Sequence, residues 1–280
     1  MRVKELMYWI EERQSIYAKK EARMSKPWTD DPILQSYRFC CPYRENDAVT
    51  KWIAQNWRDP NRKDQYLFFA MTIARLINKP ETLEALGYPD DWIPNHFIDV
   101  CHTRRDQGLK VFNGAYIVST NGHAMDKVEY LAEYVLTPMW GARSYYKDAV
   151  LYSESLADLH RELMLANGLG SFMAAQVIAD LKYAPPLLNA PDWTSWAASG
   201  PGSRRGLNRV MERPVGAPWK ESVWLSTLQD LHAQINPLVK KAEIPPIHAQ
   251  DLQNCLCEFD KMERARLGEG RPKSLYPGKG

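Results

Sequence analysis

Hydrophobic residues recur roughly every three to four positions along most of the chain, with charged residues between them. This spacing predicts a mainly α fold. Residues 65–77 are apolar on nearly every side, which indicates a buried central helix. The other predicted helices cover residues 1–24, 45–57, 81–86, 94–107, 126–140, 153–165, 172–183, 207–211, 221–235 and 248–267.

Residues 111–119 break the helical pattern, because they bring together Val, Phe, Tyr and Ile, which favour strands. Asn121-Gly122 follows as a turn signal. Two structures fit this region: a helix that begins at Asp126, or a small β-hairpin near residues 111–135. The sequence leaves both open.

Two glycines lie in the turn between the helices predicted at residues 153–165 and 172–183. Glycine permits the positive φ of a tight turn, and the amides that open the second helix can hold a phosphate. We therefore predict a helix-hairpin-helix over residues 153–183. Gly168, Gly170 and Ser171 are its predicted contacts to the DNA backbone, although a Gly-x-Gly turn alone also ends many ordinary helices.

A glycine-rich stretch at residues 200–206 is predicted to be a loop. Its glycines allow a ligand to approach the backbone closely, and its two arginines supply charge for a phosphate. The residues assigned to DNA are Gly200, Gly202 and Ser203, and those assigned to phosphate are Arg204 and Arg205.

Composition adds limits on the size, charge and location of the protein. The 280 residues are 45% hydrophobic and carry a net charge of +2, so any positively charged surface that binds nucleic acid is local.

No break in composition marks a domain boundary. We predict one domain over residues 1–267 and a flexible basic tail over residues 268–280. No apolar run is long enough for a membrane span, and no signal peptide is recognisable, which predicts a cytoplasmic protein.

Signatures of cofactor chemistry are missing from the sequence. The five cysteines lack the spacing of a zinc knuckle, the six histidines form no HExxH motif, and no GxxxxGK[ST] loop occurs. We therefore expect no metal and no cofactor. Without a GxxxxGK[ST] loop, the chain is not expected to act as a P-loop kinase.

Four segments carry a resemblance that covers almost the whole chain. They read YRFCCPYRENDAVTKWI at 37–53, NGLGSFMAAQVIADLKY at 167–183, APDWTSWAASGPGSRRGLNR at 190–209 and QNCLCEFDKMERARLGEGRPK at 253–273. They are similar to the phage amino acid:DNA transferases and α-glutamyl/putrescinyl-thymine pyrophosphorylases, and to the helical domain of 5-hydroxymethyluracil DNA kinases. The hairpin followed by Asp192 also resembles the helix-hairpin-helix DNA glycosylase superfamily.

Two positions depart from these patterns. Bifunctional glycosylases carry a lysine just inside the second hairpin helix, where this chain has Phe172 or Met173. Strand cleavage through a Schiff base is therefore not expected. Cys41 stands where a YRF(C/T)N motif would have Asn.

The resemblance implies a reaction in the cytoplasm of a host bacterium. The substrate is double-stranded DNA with a thymine-like base whose 5-methyl carbon carries phosphate or pyrophosphate. A separate 5-hydroxymethyluracil DNA kinase is expected to install that group. The amine of a free amino acid, glycine foremost, or of a polyamine displaces that group. The base must first leave the duplex stack, so the enzyme needs an aromatic pocket.

The reaction assigns roles to residues. A carboxylate must accept a proton from the incoming amine; Asp192 ranks first, followed by Asp180 and Glu258. The structural alternatives are a helix-face charge for Asp180 and a buried ion pair with Lys261 for Glu258. Further substrate or phosphate contacts are assigned to Arg38, Arg44, Asp47, Gln176, Trp193 and Lys261.

Two other functions stay open at this point. The superfamily likeness alone fits a glycosylase-type base-excision enzyme. The hairpin and the basic tail alone fit a non-catalytic DNA-binding module that recruits a 5-hydroxymethyluracil DNA kinase.

Overall fold

The computed structural model describes residues 1–114, 119–272 and 275, and its regular elements there are helices. Short 3₁₀ turns span Arg44–Asn46 and Leu187–Asn189, and π-helical stretches span Ala54–Arg58 and Leu131–Leu136. The α-helices are α1 (Val3–Glu21), α2 (Pro32–Ser36), α3 (Ala48–Ile53), α4 (Leu67–Ile77), α5 (Pro80–Leu86), α6 (Pro94–Asp106), α7 (Lys127–Tyr130), α8 (Thr137–Gly141), α9 (Arg143–Tyr152), α10 (Leu156–Leu163), α11 (Ser171–Leu181), α12 (Pro201–Val210), α13 (Glu221–Lys241) and α14 (Ala249–Arg266).

The mainly α prediction is confirmed, and the described part of residues 111–135 contains no strand. Residues 111–114 and 119–125 are irregular or turn, and α7 begins after Asp126, whose side chain accepts a hydrogen bond from the Val128 amide at 2.8 Å. Residues 115–118 of the strand candidate lie outside the described residues. The helical alternative is therefore the one observed from Asp126 onwards.

The prediction of a loop at residues 200–206 is wrong. Gly200 is the N-cap of α12, and residues 201–206 form the first turns of that helix. Pro201 occupies the start of the helix, where proline is well tolerated, and Ser203 accepts a hydrogen bond from the Gly200 amide at 2.9 Å. Close packing on α14 outweighs the low helix propensity of glycine. A Cβ at Gly206 would lie 2.0 Å from the Leu256 carbonyl oxygen, so only glycine allows this approach.

The chain divides into two compact units. Unit 1 joins Met1–Asp47 to Thr194–Gly280, and unit 2 is Ala48–Trp193. The single domain predicted over residues 1–267 stays a prediction, since this division does not test independent folding. Of the predicted tail, residues 273, 274 and 276–280 lie outside the described residues.

Each unit has its own hydrophobic core. In unit 1, α1, α12, α13 and α14 bury Trp9, Trp224 and Phe259 among other side chains. In unit 2, all eleven residues of α4 are buried, as its apolar pattern predicts. No helix in the described parts of the chain has the length and apolar character needed to cross a membrane.

Candidate functional site

A largely irregular stretch, residues 39–47, is held against α14 by side chains of that helix. Glu258 Oε2 accepts a hydrogen bond from the Cys40 amide at 2.8 Å, and Asp251 Oδ1 accepts one from the Arg44 amide at 3.0 Å. Both carboxylates are more than nine-tenths buried. The helix therefore fixes the backbone of this stretch through charge-assisted hydrogen bonds.

Arg13 of α1 holds the same stretch through its carbonyl groups. Its guanidinium donates to the carbonyl oxygens of Phe39 and Cys40, both at 3.1 Å. Arg13 is only 8% exposed, so these bonds are shielded from water. Residues 39–47 are consequently fixed by side chains of both α1 and α14.

The two carboxylate oxygens of Glu258 have different partners. Oε2 binds both the Cys40 amide and Lys261 Nζ, the latter at 2.5 Å. Oε1 has no hydrogen-bond partner among the described residues. Lys261 Nζ also lies 4.7 Å from the centre of the Phe39 ring. The ion pair with Lys261, which is the structural alternative for Glu258, is therefore present, and it engages only one of the two carboxylate oxygens.

Asp47 is a second carboxylate near this pair. Its Oδ1 accepts a hydrogen bond from the Cys41 amide at 2.9 Å. Desolvation raises the pKa of Asp47 above its usual value, and nearby Glu258 adds to the rise. The Cys41 hydrogen bond and the charge of Arg44 act in the opposite direction. Asp47 thus holds a proton more readily than an exposed aspartate.

Arg205 extends the cluster along α14. Its Nε donates to Oδ2 of the fully buried Asp260 at 2.8 Å. Cys257 lies between the two ion pairs: burial raises the pKa of its thiol to about 11, and the charges of Glu258 and Arg205 both act on it. Four predicted site residues, Arg44, Asp47, Glu258 and Lys261, therefore lie close together, with Arg205 beside them.

Arg204 does not contact the α14 cluster but binds Ser199 and Glu221. Its Nε donates to Ser199 Oγ at 2.7 Å, and its Nη2 donates to Glu221 Oε2 at 2.9 Å. Burial opposes ionisation of Glu221, but hydrogen bonds from Ser199 and Arg204 together lower the pKa of Glu221 below its usual value. Arg204 thus forms an ion pair with Glu221, whereas Arg205 belongs to the α14 cluster.

Asp180 and Gln176 of α11 are buried in unit 2. Arg75 of α4 binds both oxygens of Asp180, at 2.6 and 2.5 Å, and each side chain is 1% exposed. Gln176 is 6% exposed. This arrangement favours a structural role for Asp180, since neither oxygen is open to a substrate.

Asp192 completes the N-terminus of α10. Its two oxygens accept hydrogen bonds from the amides of Leu156 at 2.8 Å and Ala157 at 3.0 Å. Ser155 Oγ accepts the next amide, that of Asp158, at 3.1 Å. A carboxylate in this position satisfies helix amides that otherwise lack partners. The geometry therefore favours a structural role for Asp192 too.

Trp193 packs on the end of α11 rather than standing alone. Its Nε1 donates to the Lys182 carbonyl at 2.7 Å, and Lys182 Nζ lies 4.0 Å from the centre of the Trp193 ring. Trp196, three residues further along the chain, is 5% exposed. Both rings serve packing in the structure.

The turn between α10 and α11 contains two glycines in different environments. Gly168 has φ +77°, and a Cβ there would lie 2.6 Å from a methyl group of Val135. Gly170 precedes α11 with nothing within 4 Å of its Cβ position. The Ser171 carbonyl lies 2.9 Å from His160 Nε2. Packing explains Gly168, and contact of this turn with DNA stays a prediction.

Two of the residues assigned to the predicted loop have structural contacts. Gly202 lies against α14, and Ser203 bonds the backbone at the start of its own helix, α12. A Cβ at Gly202 would lie 2.3 Å from Cys257 Sγ, and Ser203 is fully buried. Gly200 forms the N-cap of α12. These positions favour packing over DNA contact. Arg38, by contrast, is exposed.

Sequence reasoning missed Arg13, Asp251 and Asp260. A usable signal existed for Asp251, because it stands about two helical turns before Glu258 and therefore shares its face of α14. Arg13 offered no comparable signal, since its partners are backbone carbonyls distant in sequence.

Comparison with known proteins gives two matches. Residues 1–271 match the family described as "5-hmdU DNA kinase, helical domain". A 5-hmdU DNA kinase of Bacillus phage SP10 is 27% identical over 244 residues, which cover 74% of this chain and 36% of the kinase. The chain thus corresponds to little more than a third of that relative. No solved structure gives a significant match.

Proposed function

The chain belongs to the family of the helical domain of 5-hmdU DNA kinases, and from this premise we propose that it is a transferase of phage thymidine hypermodification. Its substrate is 5-phosphomethyl-deoxyuridine, or the pyrophosphate form, in double-stranded DNA. The amine of an amino acid, glycine foremost, or of a polyamine displaces the (pyro)phosphate.

One observation carries this proposal: among the three candidate carboxylates, Glu258 alone keeps an oxygen without a partner among the described residues. Both oxygens of Asp180 bind Arg75, and both oxygens of Asp192 bind backbone amides. A general base needs an open lone pair directed at the proton it accepts. This difference supports Glu258 as the base.

The proposed step conserves atoms and charge. Glu258 Oε1 accepts a proton from the ammonium group, and the freed nitrogen lone pair attacks the 5-methylene carbon. The carbon–oxygen bond breaks, and its electron pair leaves with the phosphate. The new secondary ammonium then loses its extra proton to solvent. Lys261 and Arg205 supply positive charge beside the developing anion.

The test is mass spectrometry of nucleosides after incubation of the protein with phosphorylated 5-hydroxymethyluracil DNA and each candidate amine. An amine adduct with loss of phosphate supports the proposal. DNA with unphosphorylated 5-hydroxymethyluracil is the matched control and should stay unchanged. Free base or abasic sites would instead identify a glycosylase. Unchanged nucleosides despite tight DNA binding would identify a binding module and refute transfer.

A further inference from the structure

Asp260 of α14 lies among three arginines. Arg205 Nε and Arg264 Nε approach the same oxygen, Oδ2, at 2.8 and 3.3 Å, and Arg209 Nε approaches Oδ1 at 2.8 Å. Asp260 is fully buried. A single shielded carboxylate therefore orients guanidinium groups from α12 and from α14 itself.

Positive charge exceeds negative charge in this cluster. Arg209 is buried and forms a second ion pair with Glu269. Three arginines thus face two carboxylates, which leaves one positive charge in excess. Arg205 and Arg264 have side chains 37% and 38% exposed. The excess charge is therefore accessible to a ligand from solvent.

The terminal nitrogens of Arg205 and Arg264 have no hydrogen-bond partner among the described residues. Arg205 Nε donates a hydrogen bond to Asp260, whereas Arg264 Nε makes an ion-pair contact with the same oxygen and no hydrogen bond. Each arginine carries five N–H donors, so the terminal nitrogens of both stay available for a second anion. Because both Nε atoms approach one oxygen of Asp260, the two guanidinium groups are neighbours. Paired guanidinium groups suit the several oxygens of a phosphate better than a single lysine would.

We propose that Arg205 and Arg264 form a clamp for a terminal phosphate or diphosphate group, with Asp260 as the positioning residue. This inference rests on the proposed function, whose reaction releases such an anion. The clamp adjoins the proposed base through Cys257, on which the charges of both Glu258 and Arg205 act. Arg264 is new to the site, because no sequence motif predicts a role for it.

The test is calorimetric titration of the full chain with inorganic pyrophosphate. Arg264→Gln and Arg205→Gln should each bind pyrophosphate about tenfold more weakly than the wild type. Arg266→Gln is the matched control, because Arg266 lies on the same helix, is 47% exposed and pairs with Glu263 instead. It should bind within about twofold of the wild type. Wild-type affinity in Arg264→Gln, or no pyrophosphate binding in the wild type, would overturn the clamp.

A second titration separates the leaving group from the DNA backbone as the source of the phosphate. Unmodified duplex DNA should bind Arg264→Gln and wild type alike. A loss confined to duplex DNA would overturn the assignment. Failure of the clamp is distinguishable from failure of the transferase, because pyrophosphate binding is measured without DNA or amine. If the wild type transfers the amine to DNA and Arg264→Gln binds pyrophosphate as tightly as the wild type, the clamp is refuted and the transferase is not.

Discussion

The oxygens of Glu258, Asp180 and Asp192 differ in what they bind, and this difference is the reason that we propose Glu258 for proton transfer. The sequence ranks Asp192 first because of its position after the hairpin. In the structure that position makes it a helix cap, with both oxygens engaged. The Glu258–Lys261 pair was predictable from its spacing on one helix. The partners of Asp192 were not, because they are backbone amides some 35 residues away.

Glu258→Gln should lower the rate of amine transfer by about a hundredfold or more, as expected when a general base is removed. The glutamine oxygen can still accept the Cys40 amide, so circular dichroism should show a folded protein. Asp192→Asn is the comparison: it should cost about 1 kcal/mol of stability but keep the transfer rate per folded molecule. An Asp192→Asn protein that is folded yet inactive would restore Asp192 as the base.

Asp47 should make stability depend on pH in an unusual direction. Its pKa is raised in the folded state, so its contribution to stability is present below the usual pKa of aspartate and lost as pH rises through the raised value. Asp47→Asn should therefore raise the Tm at pH 7, and the gain should vanish in acid. The exposed Asp30→Asn is the control. Lower stability of Asp47→Asn at pH 7 would contradict the desolvation argument.

At the scale of elements, α12 shows why glycine is ambiguous in a sequence. Three glycines near two arginines read as a flexible phosphate loop, yet Gly202 and Gly206 allow α12 to approach α14 closely. A flexible loop and a closely packed helix differ here only in whether another helix lies against the glycines. The local sequence does not indicate which helix that would be. The long helices were predictable because their apolar spacing is a local property.

Gly206→Ala should lower the free energy of unfolding by about 3 kcal/mol, because the new methyl group meets the Leu256 carbonyl rather than a movable side chain. Gly216→Ala is the matched control, since nothing lies within 4 Å of its Cβ position. Chemical denaturation measures both. Equal stability of the two variants would mean that α12 and α14 do not pack this closely in solution.

At the scale of the whole molecule, the division into two units had no signature in composition. Unit 1 is assembled from the two segments that flank unit 2 in sequence, so its core joins residues that are far apart along the chain. The spacing of apolar residues indicates local structure only, and it does not show which distant segments pack together in one core. The single domain over residues 1–267 therefore stays a prediction.

Residues 48–193 should fold when expressed alone, because unit 2 contains its own buried helix α4 and the internal Arg75–Asp180 pair. We expect a helical far-ultraviolet circular dichroism spectrum and a cooperative thermal transition, compared with those of the full chain. A fragment that melts without cooperativity would instead support the single domain over residues 1–267.

The hydrogen bond from Cys40 to Glu258 spans 218 residues of sequence. On the ribosome, the stretch around Cys40 emerges long before α14, and all of unit 2 is synthesised in between. Since domains generally fold as they emerge, unit 2 has time to become compact while Glu258 and Lys261 of α14 are still missing from the proposed site. The proposed reaction site is therefore the last part of the protein to be assembled, and a chain truncated before α14 carries no active intermediate.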